Sequence, residues 1–357
     1  MTPHRTVSLT PNPPGTSFAR FLIALHKADG HVGRAAAIAA THCRSTPQVE
    51  HTLEALITRA GVGAQAISAT DPYAPGTELL SLLQSNSIYG RLAPKFRRVP
   101  ARTKTPVDVT GGAGSWKGEG LPAVLTKDTT ATITTEPFTA AYTAVISNEV
   151  FRFGDQAERF LRDLIVRGLA RFIDTQLLDK TIGAISGTRP ASLTAGTEVL
   201  SSAGSSFANA VTDVGALIAN TTTPLDNAYL VMQSRSFLQL QAKGAGAGYA
   251  LTPGFFMGLP VIAGSTSPRQ IALIDADSVF YSADDQVTID LSTQGTVEMV
   301  DSSSQSGLTG TGATQVSLFQ SNLTAIRIEL PITYGHLHYN GGSPTVPAGA
   351  AVLSVTY

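Results

Sequence analysis

Across residues 155–180, apolar positions recur every three or four residues. Ala157, Phe160, Leu161, Leu164, Ile165, Gly168, Leu169, Phe172 and Ile173 fall on one stripe of a helix, and Glu158, Arg159, Arg162, Asp163, Arg167, Arg171 and Asp174 fall mostly off it. Asp155 follows a glycine and precedes Glu158 by three positions, the spacing of a capping box. Twenty-six residues at roughly 1.5 Å each predict a rod of about 39 Å. A stripe that long needs a broad surface to cover it. Residues 131–148, rich in Thr, Val, Ile, Phe and Tyr, predict one extended strand running into the helix.

The pattern divides the rest of the chain. Residues 1–69 open on Pro3, Pro11, Pro13 and Pro14, then predict two Ala-rich helices over 17–42 and 48–60, with a linker from Gly61 to Pro75. A short helix is predicted over 78–84. Residues 101–131, with Gly111, Gly112, Gly114 and Gly118, read as a two-stranded excursion with a projecting tip. Residues 185–206 are a Ser/Thr/Gly-rich connection. A second helical stripe follows (Phe207, Ala210, Val211, Val214, Leu217, Ile218), then a strand over 228–232, a helix from Ser234 to Lys243 and a glycine-rich turn over 244–248. Short strands are predicted over 257–263, 271–274, 279–281, 287–291 and 296–300, a loop over 307–312, strands over 316–339 interrupted at Pro331, and a last strand over 351–357.

Composition narrows the class. The 357 residues are 43% hydrophobic and only 14% charged, below the typical quarter. Such a surface suits contact with other chains, although an ordinary protein rich in small residues has the same composition. A net charge of −1 argues against a whole-chain nucleic-acid binder. No run of about 18 apolar residues is present, so no membrane span is predicted. The apolar run over 18–25 is interrupted by Arg20 and closed by Lys27 and Asp29, so it does not read as a secretion signal. The single cysteine, Cys43, excludes an intramolecular disulfide and fits a reducing compartment.

Charge is unevenly placed. Residues 91–104 hold six basic residues and no acid, whereas 270–326 hold seven acids and no Lys or Arg. Opposite patches on one chain suit head-to-tail contact between copies, and two separately solvated faces are the plain alternative. The candidate inter-subunit contacts are Arg97, Arg98, Arg102, Lys104, Trp116, Lys117, Glu119, Asp284 and Asp285.

No catalytic constellation emerges, and neither a cofactor nor a metal is predicted. The glycines of 244–248 lack the Gly-Lys-Ser/Thr ending of a phosphate loop. His336 and His338 share a face on a strand, but no third ligand is evident. Asp275, Asp277, Asp284 and Asp285 lack EF-hand spacing. Cys43 has no catalytic partner, and neither a Gly-x-Ser-x-Gly elbow nor a His-Glu-x-x-His helix is present. The chain is therefore expected not to be an enzyme.

The order of these features resembles the major capsid proteins of tailed bacteriophages, with their Hong Kong 97-type shell fold. Residues 73–100, ending Phe96-Arg97-Arg98-Val99-Pro100, look like the N-terminal arm entering the extended loop. Trp116-Lys117-Gly118-Glu119-Gly120 resembles the W-x-G-E-G signature of that loop, and Ile146-Ser147-Asn148-Glu149 the I-S-x-E strand end. Residues 155–180 match the spine helix. Residues 229–232 with 237–240 are similar to the axial strand and helix, and Gly258-Leu259-Pro260-Val261 to its G-x-P-V turn. Residues 319–327 resemble the F-Q-x-D-x-x-A-x-R return strand.

The resemblance implies an α+β fold. Its parts are an N-terminal helical segment (1–69, a scaffolding segment lost to a protease or an added arm), an N-terminal arm (70–100) and an extended β-hairpin loop (101–132). A peripheral domain (133–204, spine helix 155–180), an axial domain of mixed sheet and flanking helices (205–315) and return strands (316–357) complete it. The implied function is an icosahedral head of hexamers and pentamers around double-stranded DNA, in a virion assembled in the bacterial cytoplasm. The implied partners are the chain itself, scaffolding protein, head protease, portal and decoration proteins, without a membrane. Lys117 and Asn322 lie near the regions that some members crosslink, but neither matches the reacting position, so no crosslink is predicted. An encapsulin-like cargo compartment, a β-rich tail or decoration module and an enzyme with an unrecognised site are the alternatives. The predicted long helix argues against the β-rich module.

Overall fold

Helix α1 (Thr16–Lys27) and helix α2 (Val32–His42) replace the single helix expected over 17–42. The break falls at Asp29 and Gly30, with φ of 51° and 78°, and the Gly30 amide closes the end of α1 onto the Leu25 carbonyl at 2.9 Å. Left-handed residues end helices in this way, and periodicity alone does not reveal the break because both helices are Ala-rich. The computed structural model describes residues 14–42, 49, 53, 66–68, 75–110, 116–117, 119, 129–153, 155–202, 204–221, 223, 225–246, 254–264, 270–283, 286–299, 314–337 and 350–354. The helix expected over 48–60 lies outside these residues except for Val49 and Leu53, which are helical and buried.

The chain forms two compact units, residues 1–82, 142–167 and 285–328, and residues 83–141, 168–284 and 329–357. In the first unit, α1 turns Phe18, Phe21, Leu22 and Leu25 fully inward, each worth roughly 1.5–3 kcal/mol on burial. Within the expected linker, strand β1 (Ala66–Ser68) pairs antiparallel with β12 (Gln286–Ser292), Ala66 opposite Thr288. Helix α3 (Pro75–Asn86) is longer than expected and begins on a proline, the residue suited to a first helical turn.

Helix α5 (Asp155–Leu178) is the long rod, 24 residues or about 36 Å, and it contributes to both units. Its inward row is Ala157, Leu161, Ile165, Leu169, Ile173 and Leu177. Phe160, expected on the stripe, is 50% exposed, and Asp174, expected off it, is buried. The single strand expected over 131–148 is two, β4 (Thr129–Thr134) and β5 (Thr139–Ser147), because Pro137 has no N–H to continue a ladder. The gap is closed by Thr333, which donates to the Glu136 carbonyl at 2.8 Å and accepts the Phe138 amide at 3.2 Å. Pro331 does not interrupt its strand. It lies inside β15 (Leu323–His336), just before Ile332 enters register with β11 (Val279–Ala283). Strand β15 also pairs with β12 and β5.

The second unit holds a mixed sheet. Strands β7 (Ala228–Gln233) and β10 (Gln270–Asp275) pair antiparallel, Leu230 opposite Leu273. On one side β9 (Leu259–Gly264) runs parallel to β7, with β8 (Phe255–Phe256) at the edge. On the other, β16 (Ala350–Ser354) and β6 (Val199–Ser201) complete the order β6-β16-β10-β7-β9-β8. All six residues of β10 are buried, as befits a strand covered on both faces. Helices α6 (Phe207–Ala219) and α7 (Ser234–Gly246) lay Ala210, Val214, Leu217 and Leu240 on Leu230, Met232, Ile271 and Leu273. Helix α7 runs through Gly244, where a turn was expected. In the first unit, β13 (Thr296–Met299) and β14 (Thr314–Ser317) pair antiparallel as a two-stranded ribbon.

Candidate functional site

The basic run and the excursion over 101–131 belong to the second unit, and the packing begins at helix α4 (Ile88–Leu92). Five residues make too little helix to stand alone, so its free amides need partners. Ser87 Oγ accepts the Gly90 amide at 2.8 Å, and the two carboxylate oxygens of Asp174 accept the Ile88 and Tyr89 amides, each at 3.0 Å. The arm is thus capped by the long helix, whose buried Asp174 side chain takes two of the free amides at the start of α4. Arg91 donates from Nη2 to the Ala263 carbonyl at 2.6 Å and from Nε to the Ser87 carbonyl at 3.3 Å. Burial holds its guanidinium below the usual range, and the nearby Asp174 opposes that shift. Ile88 fills the space where Gly264 has no side chain.

A 3-10 turn over Ala93–Lys95 leads to strand β2 (Arg97–Arg98), which runs parallel to β11 with Arg97 opposite Phe280 and Arg98 opposite Tyr281. Both arginines are exposed. The buried Phe96 and Val99 flank them, and Val99 packs with Phe280, Leu337 and Ile133. Arg102 sits exposed in a turn at φ 60°, its amide donating to the Thr135 carbonyl at 2.9 Å. Lys104 opens β3 (Lys104–Thr110), opposite Thr134 of β4, and is exposed. The strands form the expected antiparallel hairpin, with a register shift between Asp108 and Thr110. Between them Trp116, Lys117 and Glu119 are all exposed, and Trp116 has no burial at all (103%). Arg97, Arg98, Arg102 and Lys104 are therefore all exposed within one eight-residue stretch of chain, and Lys95, two residues upstream, is exposed as well.

Asp284 and Asp285, the expected acidic counterparts, lie outside the described residues. Several other acids of that region are engaged within the chain. Asp275 accepts the Asp277 amide at 3.2 Å, Asp277 accepts from Asn227 at 3.0 Å, and Asp290 pairs with Arg327 at 2.8 Å. His336 is buried, with Nε2 at 2.8 Å from the Leu193 carbonyl, and burial pushes its imidazole down to about 4. His338 lies outside the described residues. Among the described residues, no three His, Cys, Asp or Glu side chains gather as a metal set, and no helix is long and apolar enough to cross a membrane.

Two groups of residues escaped sequence reasoning. Asp174 and Glu78 are charged residues on helices that cap amides far away in the chain. The only trace of Asp174 was its spacing with Ala170 and Leu177. The exposed apolar side chains Leu238, Phe255, Met257 and Phe319 gave no periodic signal.

No protein-family model matches the chain. Over 350 residues it is 29% identical to the capsid polyprotein of Pseudomonas phage PAJU2, with 90% of this chain and 52% of that protein covered, so the chain spans about half the length of that curated relative. A solved structure from Microbacterium phage Oxtober96 is 12% identical, with a TM-score of 0.51, covering 75% of this chain and 91% of the other. The capsid of an empty GTA particle is 15% identical, with a TM-score of 0.45 over 74% of this chain and 89% of that one. The fold is of the Hong Kong 97 type, as the resemblance implied.

Proposed function

We propose that this chain, a relative of phage capsid proteins by sequence and by fold, is the major structural subunit of a phage head. The observation that carries the proposal is the 29% identity to a protein named capsid polyprotein, extending over 90% of the chain. In this reading copies assemble into hexamers and pentamers and close into an icosahedral shell around double-stranded DNA. The role is structural rather than catalytic. The hairpin of β3 and β4 reaches a neighbouring copy with Trp116, Lys117 and Glu119, and the exposed Arg97, Arg98, Arg102 and Lys104 meet an acidic surface of another copy. Asp284 and Asp285 belong to that surface. Scaffolding protein, a head protease, portal and decoration proteins are the further partners, and assembly takes place in the host cytoplasm before the shell becomes part of the virion.

Size-exclusion chromatography with light scattering, followed by negative-stain microscopy, tests this on the full chain. Closed shells or rings of five and six support it, and nuclease-protected DNA inside particles from infected cells separates a head from a cargo compartment. A stable 37.2 kDa monomer at high concentration, with no particles after a scaffolding partner is added, overturns it.

A further inference from the structure

We propose that residues 14–42 are a permanent part of the folded subunit, so that any proteolytic processing of the chain cuts outside them. The first observation is the way α1 begins. Its N-cap is Gly15, which has no side chain to satisfy the first amides. Glu78 of α3 does so from 63 residues away, Oε1 accepting the Gly15 amide at 2.6 Å and Oε2 the Phe18 amide at 2.9 Å. A negative group at a helix N-terminus also suits the helix dipole.

The second observation is how many separate segments of the first unit hold this one. Arg20 pairs with Glu158 at 3.1 Å, and Arg162 donates to the Pro14 carbonyl at 3.0 Å. His26 stacks on Phe151 with ring centroids 3.8 Å apart and lies 3.2 Å from the Thr324 hydroxyl. The inward face of α1 is fully buried at Phe18, Phe21, Leu22 and Leu25, and α2 adds Ala35, Ala36 and Ala39. A segment built to be removed would leave a unit able to close over its own core. Here removal would uncover the surface that covers four large apolar side chains and would strand Glu78. A protease also needs its substrate extended, which these contacts oppose.

The test uses trypsin, which cleaves after Arg20 and Lys27, on the full chain under native conditions and on particles when they form; only the particle arm rests on the shell reading. Peptide masses follow Phe21-Leu-Ile-Ala-Leu-His-Lys27 against the reference Phe172-Ile-Asp-Thr-Gln-Leu-Leu-Asp-Lys180. The expected result is at least 100-fold slower cleavage after Arg20 and Lys27 in the folded chain than in the heat-unfolded chain. Mature particles, denatured and fully digested, are expected to yield the two peptides in a ratio near one. Glu78→Ala is expected to raise the cleavage rate after Arg20 at least tenfold. Particles that form but lack the first peptide while retaining the second overturn the inference and leave the shell reading standing. If particles do not form even with a scaffolding partner added, the shell reading falls, and rapid cleavage after Arg20 in the folded chain overturns this inference on its own.

Discussion

Asp174 on the long helix accepts the backbone amide of Tyr89 through Oδ1 at 3.0 Å, and its other oxygen takes the neighbouring Ile88 amide at the same distance. One buried carboxylate thereby starts a helix 85 residues earlier in the chain. The arm that carries the exposed arginines inherits its position from that contact, because Arg97 follows Tyr89 by only eight residues.

Replacing Asp174 with Ala therefore leaves two buried amides without these acceptors. At roughly 1–3 kcal/mol for each unsatisfied group, a total loss of about 2–6 kcal/mol is expected. Denaturant midpoints of the wild type and of D174A measure it, and D174N is expected to fall between them because its amide keeps one acceptor oxygen. Equal stability of D174A and wild type would show that the cap contributes nothing.

Two glycines in helices are predicted to respond oppositely to alanine. A Cβ at Gly90 would meet the backbone of Gln84 and lie 2.9 Å from the Leu83 carbonyl oxygen, and main chain cannot move aside as a side chain can. Gly90→Ala is expected to cost about 1–3 kcal/mol or more. Gly215, within α6, has nothing within 4 Å of such an atom, so Gly215→Ala is expected to gain roughly 0.5–1 kcal/mol. Thermal unfolding of both variants decides the matter.

How far the sequence revealed this architecture depended on whether a signal was local. The 3.6-residue period of α5 and the continuous apolar run of β10 were legible because each element's burial is written in its own residues. Pro137 and Pro331 carry the same local signal with opposite outcomes. One falls between β4 and β5, and the other is tolerated where β15 is about to enter register with β11. Asp174 read as a solvent-facing charge because the amides it caps lie far upstream. The basic run was legible as a run, but Asp277 and Asp290 could not be known to serve Asn227 and Arg327.

His336 gives the protein a predictable sensitivity to acid. Its folded-state value of about 4 lies below the ordinary 6.5, because burial disfavours the charged ring. Between those values the unfolded chain binds more protons than the folded one, so stability is full above about pH 6.5 and falls as pH drops toward 4. The loss is about 3 kcal/mol across that window and does not grow below it. Urea midpoints at pH 7 and pH 5 measure it, and His336→Gln is expected to lose this component of the slope. An unchanged slope in the variant would assign the acid sensitivity elsewhere.

Arg97 and Arg98 are both exposed, and no acid lies between residues 91 and 104. Reversing both to Glu is expected to leave the thermal midpoint within about 2 °C, since surface substitutions change stability little. Assembly, in contrast, is expected to slow at least tenfold, and to slow less in high salt, where the pairing is already screened. Light-scattering time courses at two ionic strengths test both expectations. Compensating Lys substitutions at Asp284 and Asp285 are expected to restore the rate, and unchanged assembly of the first variant would exclude a role for these arginines.

Trp116 separates folding from assembly most cleanly. A tryptophan with 103% of its surface exposed contributes no burial to its own subunit, so Trp116→Ala is expected to leave the monomer's unfolding midpoint unchanged. If the hairpin tip docks on a neighbour, the same side chain becomes an anchor, and truncating a central aromatic anchor typically costs at least about 2 kcal/mol of binding. That corresponds to a roughly 30-fold rise in the concentration at which shells appear. Trp116→Phe, which keeps an aromatic ring, is expected to lie between Ala and wild type. Because Trp116 is the only tryptophan in the chain, its fluorescence reports directly on its surroundings: a blue shift on assembly would show the ring leaving water, and an unshifted spectrum in intact particles would remove it from the interface.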